Sequence, residues 1–175
     1  RNTDHMAEAV GALTLFDARS TGHTYEGSKP HPACFVTAAM LRGFGPGAIG
    51  LEDATMGVQS INTAGHLSIG LGQSIKEAYP DIQPIKSVGD IRRLGPANDW
   101  SSWNSSDDFI TDRPDFWIES MKDITPDMLR ELQQLAMQKA AQPGAKRGYR
   151  IVIADKLDQA RKNPGTKSVI EAQKE

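Results

Sequence analysis

The sequence predicts an α/β fold in which parallel strands are covered by helices. Three observations carry that expectation. Short apolar runs bounded by glycine, Ala48–Asp53 and His66–Gly72, stand between runs whose apolar residues recur three and four apart. From residue 13 to residue 72 the order reads strand–helix–strand–helix–strand, the pattern of parallel strands joined by covering helices. The composition, 38% hydrophobic and 24% charged, is that of a chain able to bury a core.

In chain order, residues 4–12 read as a short helix and residues 13–18 as a short strand or turn. Glycines and prolines mark residues 19–32 as loop. Pro32 suits the first position of a helix, and Val36, Ala39 and Met40 give that helix one apolar face. "GFGPG" ends it, and "AIGLED" follows as a candidate buried strand. "ATMGVQSINTAG" reads as a helix with Val58, Ile61 and Ala64 three apart, closed by Gly65 as its C-terminal cap. "HLSIGLG" is the next strand.

Residues 73–114 break this rhythm. They are polar, carry Trp100, Trp103 and the pair Asp107–Asp108, and read as a long insertion. "DFWIESM" resumes a strand. The clearest helix follows: Thr125 caps it, Pro126 opens it, Asp127 lies in the first turn, and Met128, Leu132, Leu135 and Ala136 form a core-facing stripe. Pro143–Gly144 ends it, and residues 145–175 are charged and mixed, with one strand-like run, "YRIVIA". The division expected is a core over 1–135, interrupted at 73–114, and a charged C-terminal extension over 136–175.

The 175 residues amount to one domain, or one domain with an extension. A net charge of −2 supplies no strong field for nucleic acid or an anionic membrane, and neither is expected as a partner. The single cysteine, Cys34, allows no intrachain disulfide and suits a reducing, cytoplasmic setting. No apolar run approaches the roughly 20 residues that span a bilayer, and no signal peptide is visible. The sequence opens on Arg1, as a piece of a longer protein would.

Ligands of parallel sheets bind beyond the carboxyl ends of the strands, where "AIGLED" places Glu52 and Asp53. Two carboxylates there suit a hard cation such as magnesium, and Lys29 offers a compact positive charge for a phosphate. Cation, lysine and phosphate are the parts of phosphoryl transfer. The same residues fit a plainer reading, in which Glu52 and Asp53 cap the following helix and Lys29 is solvated.

"SKPHP" and "GLEDATMGVQSINTAG", in that order and at that spacing, resemble the third and fourth motifs of the haloacid dehalogenase-like (HAD) superfamily. The similarity is greatest to its β-phosphoglucomutase-like phosphatases and phosphomutases. It extends upstream over "RNTDHMAEAVGALTLFDAR" and downstream over "DFWIESMKDITPDMLREL", covering about residues 1–72 and 115–135. The resemblance implies a three-layer, Rossmann-like HAD core with a parallel sheet. It implies magnesium-dependent phosphoryl transfer on a small sugar phosphate through an aspartyl-phosphate. In that scheme Lys29 neutralises the transferring group, Asp53 binds magnesium with Glu52 beside it, and Asn2 and Arg1 contact phosphate or substrate. The family's nucleophile strand and helical cap have no counterpart in this sequence. Hence the second expectation, a non-catalytic binding or interaction module or an inactive fragment; in either case the sheet edges left open without that strand are expected to favour self-association.

Other candidates carry less. Asp17 follows an apolar run, but Arg19 stands where the family has a second acid. Asp155 follows "YRIVIA" at the wrong end of the chain for a nucleophile and reads as structural or partner-binding. His5, His23, His31 and His66 show no zinc-ligand spacing, and Cys34 reads as a small packed hydrophobe. The glycine runs lack the Gly-Lys-Ser/Thr of a nucleotide loop. Trp100 and Trp103 suit packing or an interface better than a sugar site.

Overall fold

The computed structural model describes residues 27–103 and 110–162, together with Asp17 and Ser20. The expected helix at 4–12 lies outside the described residues, as does the run at 13–18 apart from Asp17, an exposed residue at a bend.

The elements are α1 (Ala33–Met40), β1 (Ile49–Glu52), α2 (Thr55–Thr63), β2 (Leu67–Leu71), α3 (Gln73–Ala78), α4 (Val88–Leu94), β3 (Phe116–Ile118), α5 (Pro126–Ala140) and α6 (Arg147–Lys162). The described strands form one parallel sheet in the order β1–β2–β3. Ile49 pairs with Leu67 and Glu52 with Gly70; Ile69 pairs with Phe116 and Leu71 with Ile118.

The pleat explains the layers. Side chains alternate across a strand, so Leu67 and Ile69 of β2 and Phe116 and Ile118 of β3 share one face. They join Ile85, Ile91, Met128, Leu132 and Ala136 in the largest core cluster, beneath α4 and α5. On the other face Trp117 packs with Val58 of α2, Ile75 of α3 and Ile82. Helices therefore cover both faces, as expected for an α/β fold. A third cluster, Ala33, Val36, Ala64 and Val152, holds α6 against α1 and the end of α2.

Local chemistry places the ends. After α2, Gly65 has φ +75°, donates to the Asn62 carbonyl at 2.9 Å, and His66 N–H reaches the Ile61 carbonyl at 3.2 Å. That is a Schellman stop, and it puts the chain directly into β2. Thr125 Oγ1 accepts from Met128 N–H at 3.3 Å, capping α5 as expected. Pro32 lies one residue earlier than expected, at the N-cap position of α1.

Three parts of the chain differ from expectation. Of β1 only Gly50 is buried; Ile49, Leu51 and Glu52 are half-buried, and among the described residues this strand pairs with β2 alone. The stretch 73–114 contains α3 and α4 and gives Ile75, Ile82, Ile85, Ile91 and Trp100 to the core. "YRIVIA" is helix, the middle of α6, not strand. Among the described residues no helix is long and apolar enough to cross a membrane.

Candidate functional site

Glu52 is the last residue of β1, and Asp53, exposed, follows it at the carboxyl edge of the sheet. Facing them is a tight turn from Ser28 to His31, closed by His31 N–H on the Ser28 carbonyl at 2.9 Å. Lys29 sits in this turn, and its Nζ forms an ion pair with Glu52 Oε2. The Glu52 side chain is 10% exposed and that of Lys29 43%, so the carboxylate is covered while the ammonium stays open to a solute. The same ammonium lies 5.8 Å from the centre of the Phe35 ring.

Glu52 reaches this position because α2 has no side chain at Gly57. A Cβ there would run into Glu52 Cγ, Cδ and Oε2. Glu52 Oε1 accepts from Asp53 N–H at 3.2 Å. Neither acid caps α2, whose N-cap is Ala54 with no side-chain bond. The capping half of the plainer reading is therefore not the arrangement adopted, while Lys29 remains exposed beside its ion pair.

The Lys29 turn is tied down mainly through His31. Its carbonyl accepts from Ser60 Oγ at 2.7 Å, its Nδ1 accepts from Ala33 N–H at 3.3 Å, and its Nε2 lies 3.1 Å from Asp155 Oδ2 on α6. With Nδ1 accepting, the hydrogen sits on Nε2 and points at Asp155. Cys34 is half-buried, 3.7 Å from Ser60 Oγ, and burial pushes its thiol pKa up, which disfavours the thiolate.

Among the candidate residues, then, Lys29, Glu52 and Asp53 come together, while Asn2 and Arg1 lie outside the described residues. Two adjacent carboxylates on an edge are the donor type magnesium takes, and they leave most of an octahedral shell to water or phosphate oxygens. Among the described residues no group of three or more His, Cys, Asp and Glu side chains converges. Both Glu52 oxygens are engaged, Oε2 by Lys29 and Oε1 by Asp53 N–H, so a cation at these two acids would share or displace those partners, and the two acids form no closed protein cage.

Sequence reasoning assigned no role to the pair Lys139 and Asp115, which form a buried polar centre. Lys139, fully buried, donates to Asp115 Oδ2 at 2.7 Å and Asn62 Oδ1 at 2.8 Å, between the rings of Trp100 and Trp103. Burial lowers its pKa, and the Asp115 carboxylate pulls it back up. Trp100 and Trp103 accordingly serve packing against this cation. A search of protein-family models found none that matches the chain.

Proposed function

We propose that the chain is the core portion of a magnesium-dependent phosphoryl-transfer enzyme acting on a small sugar phosphate in the cytoplasm, a phosphatase or a β-phosphoglucomutase-like mutase with a HAD-type core. The observation that supports this reading is the convergence of Lys29 on Glu52, beside Asp53, at the carboxyl end of β1. Two segments separated in sequence bring a cation and two acids to the edge where parallel sheets take their ligands. In this reading Lys29 steadies the charge of the transferring group from its open side, and Glu52 and Asp53 would hold magnesium. The ion, when bound, neutralises phosphoryl oxygens. The nucleophilic aspartate that the HAD resemblance calls for is assigned to no residue of this chain. Self-association through the outer edge of β1 belongs to the same proposal.

Magnesium is expected to raise the melting temperature of the chain. At ten times its dissociation constant the gain is about 1.4 kcal/mol, because a ligand bound only by the folded state stabilises it by mass action. Asp53→Asn should remove most of the shift. An equal response in wild type and variant would overturn the metal assignment and leave the alternative, a binding module on the same core.

A further inference from the structure

We propose that α6 is part of the candidate site, with Asp155 acting as a positioning residue that holds Lys29 against Glu52 through His31. The use made of Lys29 rests on the phosphoryl-transfer reading; its placement does not.

Lys29 belongs to a turn that no strand or helix contains, so its place depends on what grips the neighbouring residues. Three of the side-chain tethers converge on His31, two residues away: Ser60 Oγ on its carbonyl, Ala33 N–H on Nδ1, and Asp155 on Nε2. The first comes from α2 and the second from α1; from outside those two helices, among the described residues, Gly27 packs beside the ring and Asp155 supplies the polar partner of Nε2. It can do so because α6 is seated: Val152, one turn earlier, is 3% exposed and packs with Ala33, Val36 and Ala64. Gly148, a further turn back, lets α6 close on the end of α2, since a Cβ there would meet the Thr63 carbonyl. A second path runs the same way. Phe35, whose ring faces the Lys29 ammonium, packs against the cluster that contains Val152.

His31 and Asp155 are 30% and 50% exposed, so their pairing adds little to global stability. Its consequence is geometric. A group that stabilises developing charge must be held closely, and a displacement of about 1 Å is enough to impair it. With Asp155 in place the imidazole cannot swing, and the turn keeps Lys29 directed at Glu52.

The test reads the placement of Lys29 without magnesium, phosphate or turnover. Trace acetylation of lysines, quantified by mass spectrometry, compares Lys29 with the exposed Lys122 in the same molecule. An ion-paired amine reacts more slowly than a released one. Asp155→Ala is expected to raise the Lys29/Lys122 ratio roughly two- to five-fold, the scale of a lost exposed ion pair, and Glu52→Gln should raise it equally. Asp155→Asn, whose amide oxygen still accepts from Nε2–H, should stay near wild type. His31→Phe removes the same contact from the other side and should match Asp155→Ala, which decides the matter if Asp155→Ala loosens α6. A wild-type ratio in both Asp155→Ala and His31→Phe overturns the proposal, as does a ratio unmoved by Glu52→Gln. Failure of the magnesium response above would leave these ratios untouched, so the two readings fail separately.

Discussion

Asp115→Ala is expected to destabilise the protein by about 3–5 kcal/mol, the cost of breaking a buried ion pair from one side. Asp115 is 1% exposed and Lys139 fully buried. The carboxylate gathers five side-chain and main-chain donors. Oδ2 accepts from Lys139 Nζ at 2.7 Å, Ser68 N–H at 2.9 Å and Ser68 Oγ at 3.1 Å; Oδ1 accepts from Asn98 Nδ2 and Trp100 Nε1, both at 2.7 Å. Removing it takes an acceptor from each of them; Ser68 Oγ and the ammonium keep Asn62 Oδ1, Asn98 Nδ2 keeps the Arg113 carbonyl, and Ser68 N–H and Trp100 Nε1 lose the carboxylate outright. Lys139→Met should cost less, because the carboxylate would keep its four other donors. Urea unfolding at neutral pH measures both. An equal cost, or a larger one for Lys139→Met, would show that the carboxylate is not the centre of the network.

That centre joins β2, α2, α5 and the approach to β3, and its partial legibility is instructive. Lys139 continues the stripe of Met128, Leu132 and Ala136, all fully buried, so its position on the helix face already marked it as inward. Asp115 opens the apolar run of β3, where a charge with no local partner signals a distant one. The strands around the candidate site were readable because glycines bound them, and α5 because its cap and stripe agree. α6 was not, because only Gly148 and Val152 of its residues are buried. A face that narrow gives no helical period, and Ile151, Val152 and Ile153 in a row mimic a strand. The core residues of 73–114 were hidden for a related reason. Ile75, Ile82, Ile85 and Ile91 stand singly in polar surroundings, and their common burial appears only in three dimensions.

The candidate site was legible as a set of residue types but not as a geometry. Spacing placed Glu52 and Asp53 at a strand end, yet it could not show that Gly57 makes room for Glu52 or that α6 reaches His31. Both depend on contacts between segments far apart in sequence. The residue dismissed as a nucleophile, Asp155, has instead a place beside the Lys29 turn.

The second large effect concerns acid. His66, at the opposite end of β2 from the candidate site, is 2% exposed, and its pKa is lowered from 6.5 to about 4. Burial is the main cause; the backbone of Phe35 opposes it, and the positive charge of Lys139 adds to it. Nδ1 already accepts Ala48 N–H at 3.3 Å, so a proton placed there would also displace that bond. Because the folded value lies below the unfolded one, His66 contributes no pH dependence above about 6.5. As pH falls from there the unfolded chain takes up the proton and the folded one does not. The His66 contribution should therefore lower stability steadily towards pH 4, by about 3 kcal/mol in all, and level off below. His66→Asn, whose side-chain oxygen can still receive Ala48 N–H, should unfold with a shallower dependence between pH 6.5 and 4. Carboxylates whose pKa is held down, such as Asp81 by Arg113 and Glu131 by Arg92, also lose their contributions in acid. They do so equally in both proteins and cancel in the difference. Parallel stability–pH curves for wild type and His66→Asn would mean that the buried imidazole accepts its proton in the folded state without cost.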